Sequence, residues 1–283
     1  MKKSFQKNRR REDGHTYKHD LGQHFLYDED LLRSLVVSTG ITQKNSVLEI
    51  GPGSGLLTFS LCQAAKNVIA VEADETLLPF LRVKLENFSN ITLVHGDIRR
   101  QNLPELCRPL GENFYVIANI PYNITTPIFE LLWSSRLPVR QISVMIQKEV
   151  AEKLLASPSH PQYGLLSVKC QYYCEPILEC IVPAEAFTPP PKVDSAFIHL
   201  KMRSTPPVPV ENEKLFFQLL KAGFGMRRKT LVNALKGVLN LTGEQIRTIL
   251  TKQGYSSTIR GEAFTVTQWI HFANACAQAL SEK

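Results

Sequence analysis

Three features of the chain predict a Rossmann-like α/β domain of seven strands with a small α-helical domain behind it. Short apolar runs alternate with longer amphipathic stretches between residues 46 and 202, as in a sheet whose strands are joined by helices. A glycine loop, Gly51-Pro52-Gly53-Ser54-Gly55, separates the first of these runs from an apolar segment at 56–65. Beyond Ser204-Thr205-Pro206-Pro207-Val208-Pro209, which reads as a linker, the periodicity is helical throughout. The expected boundaries are a basic arm at 1–18, the α/β domain at 19–203 and the helical domain at 204–283.

The 283 residues suffice for one large domain and a small one, and a hydrophobic content of 43% is ordinary for a globular protein. No apolar run is long enough to span a bilayer, and the basic N-terminus lacks the apolar segment of a signal peptide. A cytoplasmic protein with no membrane partner is expected, and a monomer. The six cysteines form no C-x-x-C pair and no metal-like spacing with histidine. They read as mostly buried thiols in a reducing compartment, and no metal is expected. The net charge of +7 is unevenly placed: residues 1–20 carry +4 and residues 204–283 carry +5, against −2 for 21–203. A near-neutral core with basic ends is the footprint of a protein that grips a polyanion. A solubilising tail is the plainer alternative for the N-terminus.

In chain order, residues 1–18 are polar and aperiodic and read as a flexible arm. Gly22-Gln23-His24-Phe25-Leu26 leads into a short helix, 28–38, whose Asp28, Glu29 and Asp30 suit the helix dipole. Residues 47–50 form a buried strand. Glycines at i, i+2 and i+4 then admit backbone angles closed to other residues and let a ligand approach the main chain. The helix that follows starts with free N–H groups. A dinucleotide fingerprint needs G-x-G-x-x-G; here the third glycine arrives one residue early, and no G-K-[ST] follows. The observed pattern, Glu49-x-Gly51-x-Gly53-x-Gly55, better suits S-adenosylmethionine (SAM). SAM has no phosphate but carries an ammonium, a carboxylate and a sulfonium, so an acid at the loop is welcome. A glycine turn that merely packs a helix on a strand is the structural alternative.

A second strand, 67–74, ends in acids. Glu72 stands where the hydroxyls of a nucleoside ribose are held, and Asp74 reads as a helix cap. A helix at 77–87 and a third strand at 91–97 follow. That strand closes on Gly96-Asp97, whose carboxylate can accept the exocyclic amine of an adenine ring. The fourth strand, 114–118, runs straight into Asn119-Ile120-Pro121-Tyr122. An amine on an aromatic base is a poor nucleophile, because its lone pair is conjugated with the ring. Two acceptors can draw that nitrogen toward tetrahedral geometry: the Asn119 side-chain oxygen and the backbone carbonyl of Ile120 or Pro121. Pro121 stiffens the turn. Tyr122 offers a flat face on which a flipped or single-stranded base can stack. Catalysis would then rest on proximity and alignment, with no strong general base.

The fifth strand is expected at 142–147, a helix at 148–156, a loop near the site at 157–164, a helix at 165–173 and a strand at 180–182. Phe187-Thr188-Pro189-Pro190-Pro191-Lys192-Val193-Asp194-Ser195 is held extended by its prolines. Phe187 can supply the second face of a base sandwich, or the stretch is simply an exposed loop. The last strand is 196–202. Helices follow at about 211–223, 227–238, 243–252 and 266–280. Arg227, Arg228 and Lys229 fall at the start of the second of these. Cations there oppose the helix dipole, so phosphate contact explains them better than local stability.

Taken together, these residues resemble the ribosomal RNA adenine dimethyltransferase family, and its bacterial small-subunit branch most of all. The resemblance runs from about Leu21 to the C-terminus. It rests on Gly22-Gln23-His24-Phe25-Leu26, Glu49-Ile50-Gly51-Pro52-Gly53, Asn119-Ile120-Pro121-Tyr122, Gln147-Lys148-Glu149-Val150-Ala151, residues 187–195 and Arg227-Arg228-Lys229-Thr230-Leu231. It implies a SAM-dependent methyltransferase domain that dimethylates two adjacent adenosines near the 3′ end of 16S rRNA, with the small ribosomal subunit as partner. It implies SAM contacts at His24, Leu26, Gly51, Glu72, Asp97 and Asn119, to which the glycine loop adds Gly53, and target-base contacts at Asn119, Tyr122 and Phe187. Lys18-His19-Asp20-Leu21 is more mixed in charge than the basic stretch usual in the family. A large-subunit rRNA methyltransferase of the macrolide-resistance type, and an RNA-binding assembly factor without turnover, are the alternative functions.

Overall fold

The computed structural model describes residues 24–237 and 241–281. The arm expected at 1–18, and Gly22 and Gln23 of the N-terminal motif, lie outside them. The chain divides into two compact units. The first runs to Ala151 and resumes at Ile177–Met202; the second is Glu152–Pro176 together with the chain from Arg203 onward.

The first unit is built on nine strands: β1 (Phe25–Leu26), β2 (Ser46–Ile50), β3 (Asn67–Glu72), β4 (Ile91–His95), β5 (Phe114–Asn119), β6 (Val139–Gln147), β7 (Cys174–Val182), β8 (Phe187–Thr188) and β9 (Ser195–Met202). Seven of them form one sheet in the order β4-β3-β2-β5-β6-β9-β7. β2 is parallel to β3 and β5, β3 to β4, and β5 to β6, while β9 is antiparallel to β6. The central strand β2 is buried along its whole length, as befits a parallel strand covered on both faces. The chain moves outward from β2 through β3 and β4, then returns to the other side of β2 as β5. Ligands of open parallel sheets bind at such a reversal, beyond the carboxyl ends of the strands.

The connecting helices are α1 (Glu29–Ser38), α2 (Leu56–Ala64), α3 (Leu78–Lys84), α4 (Leu103–Cys107), α5 (Thr125–Ser134) and α6 (Lys148–Leu155). Asp28 caps α1 by accepting from the Leu31 N–H, with Glu29 and Asp30 in the first turn. α5 buries Ile128, Phe129, Leu132 and Trp133 and has no counterpart in the sequence reading. The two-stranded β1–β8 ladder is also new: Phe25 pairs with Thr188, and Leu26 with Phe187. Two motifs that are 161 to 163 residues apart in sequence are thus one structural feature.

The second unit holds α7 (Leu165–Tyr173), α8 (Glu213–Gly225), α9 (Leu231–Leu235), α10 (Gly243–Lys252) and α11 (Val266–Ser281). Its core joins Tyr163, Val168 and Tyr172 to Phe216, Leu220, Trp269 and Phe272. Val168 and Tyr172, four residues apart on one face of α7, explain why that helix packs in the helical core. The loop at 157–164 is correspondingly fixed in this unit. The Tyr163 hydroxyl donates to the Phe264 carbonyl at 2.8 Å, and the Ser159 N–H to the Glu262 carbonyl at 2.8 Å. No helix among the described residues is long and apolar enough to cross a membrane.

Candidate active site

One cavity of the first unit is lined by the ends of β2, β3, β4 and β5 and by His24, Phe25 and Leu26. The glycine loop leaves β2 with Gly51, Gly53 and Gly55 at φ values of +71°, +54° and +71°, a region that disfavours side chains. At Gly53 there is a second reason for glycine, since a Cβ would stand 2.5 Å from the Phe25 ring. The Gly53 N–H donates to Glu72 Oε2 at 3.0 Å, and the Asp74 N–H to Glu72 Oε1 at 2.8 Å. Asp74 in turn caps the turn after β3 by accepting from the Thr76 N–H at 3.1 Å. Burial raises the Glu72 pKa, and its backbone donors offset this only in part.

Three carboxyls line this cavity, and each has a different environment. Glu49 on β2 is 1% exposed, and neither oxygen makes a hydrogen bond. Desolvation pushes its pKa up to about 8, against a smaller opposing effect of the Thr58 hydroxyl. Glu72 is buried but held by backbone. Asp97 is half open, and the Arg99 fork closes on it: Nε lies 2.9 Å from Oδ1, Nη2 lies 2.6 Å from Oδ2, and the Arg99 N–H lies 3.0 Å from Oδ1. That hydrogen bonding, before any other cause, lowers the Asp97 pKa. Arg99 has no counterpart in the sequence reading; its place two residues beyond Asp97, in the next turn, is the only signal.

At the end of β5, Asn119 Nδ2 donates to the His24 carbonyl at 3.0 Å. This fixes the amide and leaves Oδ1 as the acceptor that remains. The Pro121 carbonyl already accepts from the Ile124 N–H at 3.1 Å and the Thr125 hydroxyl at 3.3 Å. Of the two backbone acceptors considered from sequence, Ile120 is therefore the one left uncommitted. The Tyr122 hydroxyl is hydrogen-bonded to Ser195 Oγ. Its ring stacks on His24, with centroids 5.4 Å apart and planes at 26°. His24 Nδ1 donates to the Pro189 carbonyl at 2.8 Å, which ties the N-terminal motif to the proline-rich stretch.

His24, Leu26, Gly51, Gly53, Glu72, Asp97, Asn119 and Tyr122 all line the one cavity. Phe187 does not. Its side chain is 2% exposed and packs with Leu26, Met145 and Phe197, so it presents no open face to a base. The β1–β8 pairing accounts for this by seating Phe187 opposite Leu26 in the core. Arg227, Arg228 and Lys229 belong to the second unit and are exposed. They lie not at a helix start but in the turn between α8 and α9, whose N-cap is Thr230. The dipole argument for them therefore lapses: they follow the C-terminal end of α8, where cations are favoured. Arg227 is moreover committed within the unit, donating to the Pro161 carbonyl at 3.0 Å and pairing with Glu262 at 3.4 Å. Among the described residues, no group of three or more His, Cys, Asp or Glu side chains could hold a metal ion.

Chemically, the cavity brings three carboxyls and the Asn119 oxygen together, with Arg99 beside Asp97. The Gly53 N–H is taken by Glu72 and is not offered to a phosphate. A cation, a pair of hydroxyls and an amine are the groups that suit it.

Residues 14–278 match the profile described as ribosomal RNA adenine dimethylase. The chain is 40% identical over 277 residues to ribosomal RNA small subunit methyltransferase A of Bacillus pumilus, covering 94% of each chain. It is 41% identical over 268 residues to the protein of that name in Enterococcus faecalis, covering 93% of this chain and 91% of the relative. Among solved structures it is similar to a dimethyladenosine transferase from Plasmodium falciparum, with a TM-score of 0.73, 25% identity and coverage of 88% of this chain and 96% of that one. It is also similar to the 23S rRNA methyltransferase ErmE, with a TM-score of 0.69, 25% identity and coverage of 90% and 100%.

Proposed function

Since the chain belongs to the ribosomal RNA adenine dimethylase family, we propose that it transfers two methyl groups from SAM to N6 of each of two adjacent adenosines near the 3′ end of 16S rRNA. It acts as a cytoplasmic monomer on the small ribosomal subunit, as part of that subunit's biogenesis. Glu49, Glu72 and Asp97 in the cavity lining, with a glycine spacing unlike the dinucleotide fingerprint, support SAM over a dinucleotide or a nucleoside triphosphate. Glu72 takes the ribose hydroxyls and Asp97 the adenine amine. Gly51, Gly53, His24 and Leu26 close around the rest. Bound there, SAM supplies an electrophilic methyl on a sulfonium.

The chain's own work is to present the target amine. In the first transfer Asn119 Oδ1 and the Ile120 carbonyl accept its two N–H groups, and in the second one of them accepts the single N–H that remains, drawing the nitrogen lone pair out of conjugation and aiming it at the methyl. Tyr122 supports the base, and exchange of its present neighbour, the His24 ring, for the base opens that face. No side chain is needed as a strong base, because the proton leaves after transfer; alignment supplies the rate. Arg228 and Lys229 contact phosphates of the RNA. The single observation that carries the reading is the Asn119 amide, locked by the His24 carbonyl so that its oxygen is the free acceptor.

The test is transfer of labelled methyl from SAM to small and large subunits that lack the modifications, followed by nucleoside analysis. Dimethyladenosine in the small subunit alone is the expected result. Label in the large subunit would favour the activity named for ErmE, and no label despite SAM binding would point to a binding role.

A further inference from the structure

Ser195 has no part in the chemistry described so far, yet it is hydrogen-bonded to the hydroxyl of the base-supporting Tyr122. It is buried, and it does not line the cavity. The sheet makes it a firm anchor. Ser195 opens β9 and pairs with Gln147 at the end of β6. The preceding residue, Asp194, accepts from the Lys148 N–H through its carbonyl at 3.0 Å and from the Ala184 N–H through Oδ1 at 3.2 Å. The backbone of the tyrosine is held as well, since its carbonyl accepts from the Thr125 hydroxyl at 3.4 Å. Between these two fixed ends only the side-chain torsions remain. The hydroxyl lies on the long axis of the ring, so holding it at Ser195 sets the direction of that axis and leaves only rotation about it. The stacking neighbour sets that rotation: the His24 ring in the empty site, the base in the occupied one. Ser195 thus governs where the stacking face stands without touching what is stacked on it.

The two transfers do not lean on that face equally. In the first, the target amine is held by two hydrogen bonds, to Asn119 Oδ1 and to the Ile120 carbonyl. After it, the nitrogen carries a methyl and a single N–H, so one of those bonds is gone. The stack must then supply the orientation that the lost bond gave, and a small misplacement of the reacting atoms is costly. We propose that Ser195 is a positioning residue for the second methylation: by holding the Tyr122 hydroxyl, it keeps the stacking face where a monomethylated amine, held by one hydrogen bond, still meets the methyl in line. In that step the nitrogen lone pair forms the new N–C bond as the S–C bond breaks with its pair left on sulfur, and the last N–H proton passes to solvent. The inference rests on the SAM-dependent dimethylation reading of the site. It makes the Tyr122–Ser195 bond a determinant of product, two methyl groups rather than one.

The experiment is methylation of small ribosomal subunits that lack the modifications, with the enzyme in excess, followed in time by nucleoside analysis that separates monomethyl- from dimethyladenosine. Three variants are compared with the wild type: Ser195→Ala, Tyr122→Phe, which keeps the ring and removes the hydroxyl, and the two together. In Ser195→Ala monomethyladenosine should accumulate, because the second transfer slows about fivefold or more beyond any slowing of the first. Tyr122→Phe should give the same partition, and the double variant should be no worse than either single one, since all three break the same bond. The cofactor-free protein gives a second readout. The NMR signals of the His24 ring protons, displaced by the tyrosine ring current in the stacked pair, should move toward ordinary values in both single variants. A loosened site would slow both transfers alike; that result, a wild-type partition in Tyr122→Phe, or unmoved His24 signals overturns the assignment. Tyr122→Phe keeps the test decisive if Ser195→Ala folds poorly. A wild-type chain that transfers no methyl sinks the dimethylation reading itself; wild-type dimethylation with an unchanged partition in the variants sinks only this inference.

Discussion

Asn119 and Asp97 show how much one hydrogen-bond partner decides. Asn119 spends its Nδ2 on the His24 carbonyl, so replacing it by alanine removes an acceptor needed in the transition state without emptying the cofactor cavity. Asn119→Ala is expected to lower kcat by about a hundred- to a thousandfold, with the KM for SAM within about threefold; full activity in that variant would defeat the mechanism. Asp97 differs, because both its oxygens are engaged by Arg99 when the site is empty. The adenine amine must share or displace that fork. An ion pair whose arginine is 44% exposed is worth about 1 kcal/mol at most. Arg99→Ala is therefore expected to move the KM for SAM by less than about fivefold, whereas Asp97→Ala raises it about tenfold or more. Steady-state kinetics on the two variants separates a reader of adenine from its neighbour. For Phe187 the residue type suggested stacking, and only the strand register shows the ring facing Leu26.

At the level of elements, the turn between α8 and α9 splits a cluster that looks uniform in sequence. Arg227 is bound to the Pro161 carbonyl and Glu262; Arg228 and Lys229 are exposed. Neutralising Arg228 or Lys229 should each reduce the salt-dependence slope of RNA binding by about one unit while leaving the melting temperature unchanged. Arg227→Ala should instead lower the melting temperature with little change of slope, and the reverse pattern would refute the division. The sheet strands and the glycine loop were legible because each is coded locally, by apolar runs and by glycines at fixed offsets. Glu72, Asp97 and Asn119 were legible because strand ends converge in a parallel sheet. What sequence could not show is non-local. The β1–β8 ladder depends on pairing across 161 to 163 residues, and the allegiance of the loop at 157–164 and of α7 depends on which core receives Tyr163 and Tyr172. The extent of β7 was also missed, since it reaches from Cys174 to Val182 through a stretch whose apolar residues face solvent.

For the whole molecule, the buried ionisable groups of the first unit set opposing limits on stability as pH changes. His199 sits between β6 and α1, with Nδ1 2.9 Å from Ser143 Oγ and Nε2 3.4 Å from Ser38 Oγ. Burial lowers its pKa below the ordinary 6.5, against a smaller opposite pull from Glu179. A lowered histidine binds fewer protons folded than unfolded, so its contribution is complete above 6.5 and is lost as pH falls below that value. Glu49 acts in the other sense. Its pKa rises from 4.5 to about 8 on folding, so the folded chain holds a proton that the unfolded chain has released. That contribution is complete below 4.5 and is lost as pH rises through about 8. Glu72 is raised as well and adds to the same trend. Between pH 6.5 and 8 the histidine no longer varies, and the carboxyls alone tilt the curve. The unfolding free energy of the cofactor-free protein should therefore fall across that interval, with a slope approaching about 1.4 kcal/mol per pH unit for one proton, and the melting temperature should fall with it. In Glu49→Gln the slope should be largely gone, leaving whatever Glu72 contributes. A melting curve equally steep with and without Glu49 would show that the carboxyl is already ionised in the free fold.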